Sequence, residues 1–258
     1  MSGHSKWAKI KRQKGANDAR KGMLFTRLAR DIAMAASEGG GDPDMNFTLR
    51  LAIEKGKEAN MPKDNIERAV KKGAGGAGEG KLARISYEAY AKDGSALIVD
   101  CTTDNTNRTV TEVKRILEGR GAKFAQQGSV KWQFEEKGLI VVVPKKFKTS
   151  EKFNKEPELI DIDKESLSLD LMGIEGVEDV SEESSEGIDL IEVLTSKSNF
   201  KKVHEAIVDL GVKIESAELI KTAKDKVDLG VEDKAQVVEL IEALEENDDV
   251  DSVWSNVS

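Results

Sequence analysis

Apolar residues recur with a helical period over the first third of the chain and with a strand period beyond it. From Asn17 to about Ser37, Leu24, Phe25, Leu28, Ile32 and Ala36 fall on one helical face, with Arg20, Arg27 and Arg30 nearly opposite. The pattern predicts a packed helix with a cationic outer side. Glycines and a proline in Glu38 to Asp44 end it, and Asn46 is placed to cap a second helix through Leu49, Ala52, Ile53 and Ala59. Pro62 stops that one. A third, short helix follows, with Asp64 and Glu67 at capping-box spacing, Ile66, Ala69 and Val70 inward, and Gly73 as terminator. Gly73 to Gly80 reads as a flexible linker, because no strand precedes its glycines and no Lys-Ser or Lys-Thr pair follows them.

After residue 84 the period becomes two. Ile85 to Ala91 and Ala96 to Thr103 predict a hairpin about Asp93-Gly94, and Asn107 is placed to cap a helix with Val110, Val113, Ile116 and Leu117 inward. A strand centred on Val130 to Phe134 and another over Leu139 to Val143 follow. A helix over Lys164 to Met172, strands over Val177 to Glu182 and Gly187 to Thr195, a helix over Phe200 to Leu210 and a strand over Val212 to Lys221 come next. From Leu139 the order is strand, helix, strand, strand, helix, strand, the ferredoxin-like arrangement. A helix over Lys234 to Glu246 and a strand over Val250 to Val257 then return to the middle domain. The expected fold is α+β: an N-terminal three-helix domain followed by two α/β domains, the last inserted into the middle one. The boundaries are 1–80 for the basic arm and helices, 81–136 plus 225–258 for the middle domain, and 137–224 for the acidic insert.

Charge adds what periodicity does not show. Residues 1–30 carry nine Lys or Arg and the single acid Asp18, a local +8 in a chain whose total is -8. Residues 1–84 hold 18 Lys or Arg against 10 Asp or Glu, which leaves 22 against 38 for the rest. A basic head on an acidic body points to a partner more acidic still, most simply a nucleic-acid backbone. Gly3 to Ala16 has no apolar period and is expected to be a mobile arm carrying His4, Lys6, Trp7, Lys9, Lys11, Arg12 and Lys14. With Arg20, Lys21, Arg27 and Arg30 these are the candidate nucleic-acid-binding residues. Trp7 among cations suits stacking on a base. Trp132 and Trp254 fit core or edge packing.

Other chemistry finds little support. His4, Cys101 and His204 are too few and too scattered for zinc, and Asp161, Asp163 and Glu165 lack the glycine and bidentate Glu of a calcium loop. No metal, cofactor or small-molecule substrate is expected. No G-x-S-x-G elbow occurs, Cys101 has no His partner in sequence, and His204 suits a half-buried structural place, so no enzyme is expected. The single Cys101, inside an apolar run, suggests a reducing compartment. Leu139 to Val143 is too short to span a bilayer, and the N-terminus reads as mature protein rather than as a signal or transit peptide. Thr103 to Thr109, TDNTNRT, lies at a strand end leading into a helix. Asp104, Asn105, Asn107 and Arg108 there form either a cap and turn or a loop that meets a phosphate or partner.

GHSKW at Gly3 to Trp7, GGGDP at Gly39 to Pro43, NMPKDNIERA at Asn60 to Ala69, TDNTNRT and GSVKWQF at Gly128 to Phe134 together resemble the YebC/PmpR family over the whole chain. The resemblance implies a helical domain followed by two α/β domains, a cytoplasmic location in bacteria, and probable transcriptional regulation through DNA. It also implies the alternative of a translation factor, on the ribosome and its RNA, that relieves stalls at proline-rich stretches. At Ala89 to Asp93 and at Thr106 the chain departs from the family's pattern. A helix-turn-helix needs a turn of about 3–4 residues, and Glu38 to Asp44 is longer.

Overall fold

The computed structural model describes residues 18–75, 82–147, 159–185 and 188–258. These divide into two compact units, one reaching to Glu135 and completed by Thr222–Ser258, the other spanning Glu136–Lys221. The fold is α+β, with helices first and sheets after.

The first unit opens with α1 (Asp18–Gly39), α2 (Phe47–Glu58) and α3 (Lys63–Ala74). Leu28, Ile32, Ala35 and Ala36 of α1 meet Leu49, Met61, Ile66 and Ala69 in one apolar core, as their helical spacing requires. Asn46 caps α2, its side chain accepting from the Leu49 N–H at 3.0 Å while its amide donates to the carbonyls of Ala35 and Gly40. The capping box expected for α3 is absent. Pro62 holds the N-cap position without a side-chain bond, and Asp64 lies within the first turn. Nor does Gly73 end the helix, which continues to Ala74. A Cβ at Gly73 would collide with the Ala33 carbonyl, so glycine there permits close approach of α3 to α1.

The same unit carries a sheet in the order β3-β1-β2-β9. Strands β1 (Ala83–Tyr90) and β2 (Ala96–Thr103) form the expected antiparallel hairpin, pairing Ala83 with Thr103 and Tyr90 with Ala96. Its turn places Asp93 and Gly94 at φ 50° and 76°, the left-handed pair that favours Asp-Gly. Helix α4 (Thr106–Gly119) follows, then the short edge strand β3 (Lys123–Ala125), which the periodicity does not show. After α7 (Val231–Glu245), β9 (Val250–Ser255) returns to pair with β2. On one face Leu97, Val99 and Cys101 pack against Val113 and Leu117 of α4 and Leu240 and Leu244 of α7. The Cys101 thiol is buried, and burial pushes its pKa up.

The strand expected over Val130 to Phe134 is instead a short 3-10 turn, Lys131–Gln133, and one long strand β4 (Phe134–Phe147) begins after it. In the second unit β4 is followed by β5 (Leu159–Asp161), α5 (Lys164–Met172), β6 (Val177–Ser185), β7 (Ile188–Ser196), α6 (Phe200–Asp209) and β8 (Val212–Ala223). The sheet runs β5-β4-β7-β6 with β8 also on β4, so the four main strands take the order β8-β4-β7-β6 of a ferredoxin-like fold. His204, on α6, is buried rather than half-buried. Among the described residues no helix is long and apolar enough to cross a membrane, and no group of three or more His, Cys, Asp or Glu could hold a metal ion.

Candidate nucleic-acid interface

Of the residues singled out for nucleic acid, His4, Lys6, Trp7, Lys9, Lys11, Arg12 and Lys14 lie outside the described residues. Arg20 and Lys21 are on the first turn of α1. Arg27 and Arg30 are not on an outward face. Opposite the apolar stripe of α1 stand the ends of β2 and α7 and the start of β9, and both guanidinium groups turn to them. Arg27 donates to the carbonyls of Glu245 and Asn247, the latter at 2.9 Å. It thus serves the C-terminus of α7, which has no basic residue of its own in its last turn. Arg30 donates to the Thr102 carbonyl at 2.8 Å and the Asp249 carboxylate at 3.0 Å.

Asp249 is the hub that the sequence does not show. Its carboxylate accepts from Arg30, from Arg108 at 2.8 Å, from the Thr109 hydroxyl at 2.8 Å and from the Thr103 hydroxyl at 3.1 Å. Burial pushes its pKa up, but the bonds from Arg108, Thr109 and Thr103 outweigh it and hold the carboxyl below the usual range. The TDNTNRT segment folds around this carboxylate as a cap and turn. Asn105, not Asn107, caps α4 by accepting from the Arg108 N–H at 3.1 Å, and Arg108 also reaches Asp104 at 3.1 Å. Half of the Arg108 side chain stays exposed, so the cap leaves it a face toward solvent.

A groove of about 630 Å³ opens between α1, α3 and this cap. Its floor is Gly22, Phe25, Thr26 and Ala29 of α1, and its cations are Arg30, Arg68, Lys72 and Arg108, against Asp104 and Asp249. Arg68, Lys71 and Lys72 are exposed on α3. Their spacing puts Arg68 within a turn of both lysines, the one sequence signal that could have nominated them. The groove starts one turn after Asp18, where the basic arm joins α1. The cations of this groove can hold an anion. Residues 59–62 between α2 and α3 have the length a helix-turn-helix needs, unlike the α1–α2 connection.

Such an assembly, basic helices docked on an acidic α/β body, matches known proteins throughout. Residues 5–76 match the model of the TACO1/YebC protein N-terminal domain, and residues 82–257 that of the TACO1/YebC second and third domain. A probable transcriptional regulatory protein of Thermoanaerobacter pseudethanolicus is 44% identical, with 100% of this chain and 97% of that protein covered. One of the same description from Chloroflexus aurantiacus is 41% identical over 100% of this chain and 95% of its own length. The crystal structure of a conserved hypothetical protein from Aquifex aeolicus superposes with a TM-score of 0.79 at 37% identity, covering 93% of this chain and 91% of that one. The chain belongs to the TACO1/YebC family.

Proposed function

We propose that this protein is a non-enzymatic regulator of gene expression that binds nucleic acid through its basic N-terminal arm and the groove the arm leads into. The observation that carries the reading is the local excess of nine Lys or Arg over one acid in residues 1–30 of a chain whose total charge is -8. The exposed cations of α3 extend that charge beyond the arm, and Arg108 completes it at the groove wall. Phosphate contacts of this kind position a protein on a duplex without selecting sequence. The description of the relatives as probable transcriptional regulatory proteins favours duplex DNA as the target.

Reversing Lys9, Lys11 and Lys14 to Glu is expected to abolish binding of duplex DNA at moderate salt in a fluorescence-anisotropy titration. Reversing Arg68 and Lys72 is expected to weaken it. Unchanged affinity in the arm variant contradicts the proposal, and tight binding of ribosomal RNA with no measurable affinity for duplex DNA replaces it with the translation reading.

A further inference from the structure

Trp132 does not take the packed place its alternation with Val130 and Phe134 predicts. Its side chain is 66% exposed. The turn that carries it is nevertheless tightly built. Glu88 of β1, buried under the turn, accepts from the backbone N–H groups of Gly128 at 2.6 Å, Val130 at 2.6 Å and Lys131 at 2.9 Å. Val130 and Phe134, on either side of Trp132, are buried with Ala96 and Ile98 on the second face of the sheet. Lys224 ties the end of the turn, its N–H donating to Gln133 O and its ammonium to Trp132 O, both at 2.8 Å.

The aromatic neighbour is as specific. Trp132 donates its indole N–H to Ser129 O at 2.9 Å, and the Tyr90 hydroxyl donates to the same oxygen at 3.0 Å. Each ring thus has its polar edge satisfied within the protein, and what Trp132 presents to solvent is carbon surface. A stray surface aromatic needs no account, but one held by three backbone bonds beneath it and paired with a second ring at one carbonyl is pre-organised. The turn from Gln126 to Gln133 contains Lys131 and no acid. Lys123 pairs with Tyr90 across the edge of the sheet and Lys131 precedes Trp132 in the turn, and both lysines are exposed. Aromatic faces among lysines fit an unpaired base and the phosphates beside it, and a duplex, whose bases are already stacked, offers no face to them.

We infer that Trp132, supported by Tyr90 and the Glu88-tied turn, is a stacking platform for single-stranded nucleic acid, separate from the cationic arm and groove. It shares the ligand class of the proposed function but none of its residues. The test uses the full chain with a labelled oligouridine, a labelled oligothymidine and a blunt DNA duplex. Trp132→Ala is expected to weaken both single strands about tenfold, to leave the salt slope unchanged because no phosphate contact is removed, and to leave the duplex unaffected. Trp132→Phe is expected to restore most of the loss. Melting temperatures within a degree or so of the parent are expected, since an exposed side chain is replaced. Equal affinity of parent and Trp132→Ala for both single strands overturns the inference while leaving duplex binding by the arm standing. Failure of the parent to bind any of the three probes removes both readings.

Discussion

Asp251 lies where α1 meets the sheet, and the fold resists its charge. It sits on β9 with the Thr102 hydroxyl donating to its carboxylate at 2.7 Å. Burial and the charge of Asp31 push its pKa up to about 7, against the bond from Thr102 and the charges of Arg84 and Arg30. The folded pKa exceeds the unfolded value of 3.8, so the folded state binds more protons between these values. The stability from this group is complete below the unfolded pKa and is lost as pH rises through the folded one, at up to about 1.4 kcal/mol per pH unit. Asp251→Asn, which keeps the shape and the acceptor, is expected to melt above the parent near pH 8 and to lose most of that advantage near pH 4, as read by thermal denaturation. An equal shift at both pH values contradicts the assignment. Neither Asp251 nor Asp249 could be picked from the sequence. Their partners Thr102, Thr103, Arg108 and Thr109 lie well over a hundred positions away in the chain, and an acid in or just before a predicted strand looks like ordinary surface. Arg27 and Arg30 were misplaced for the matching reason. Helical spacing gives the face a residue occupies but not what packs against that face.

Elements were more legible than their contacts, because periodicity is local and docking is not. Three helices, the Asp93-Gly94 hairpin and the strand-helix order of the second unit follow from spacing and turn residues alone. The turn at residues 131–133 was hidden because alternation of Val130, Trp132 and Phe134 mimics a strand, while the three N–H groups that break the ladder go to Glu88. Gly73 shows the same limit within a helix. Replacing a helical glycine with alanine normally gains about 1 kcal/mol of propensity. Here the added methyl meets the Ala33 backbone carbonyl, which no rotamer change can relieve, and lies 2.8 Å from the Ala36 Cβ. Overpacking costs about 1–3 kcal/mol, so the clash wins. Gly73→Ala is expected to lower the midpoint of chemical denaturation, and a midpoint at or above the parent's would show that α3 and α1 are not packed through this position.

At the scale of the molecule, opposite charges are kept apart along the chain: +8 over residues 1–84 and the remainder strongly acidic. The helical bundle and the first sheet form one unit joined by Arg27, Arg30 and the Arg84–Glu38 ion pair at 3.0 Å, so cations at the base of the arm are held in place by the body. That segregation was visible in composition before any element was placed, whereas the groove was not, because it needs α1, α3 and the Asp249 cap together. The body's excess of acids also disfavours nonspecific wrapping of a duplex around it. The central claim is electrostatic, and the salt dependence of affinity tests it most directly. For the parent chain, log affinity for duplex DNA is expected to fall linearly with log salt, by about 0.9 for each phosphate contacted, and the slope is expected to flatten by about 3 when Lys9, Lys11 and Lys14 are neutralised to Gln, which leaves binding measurable at low salt. Affinity that ignores salt, or a slope that the arm variant leaves unchanged, contradicts it.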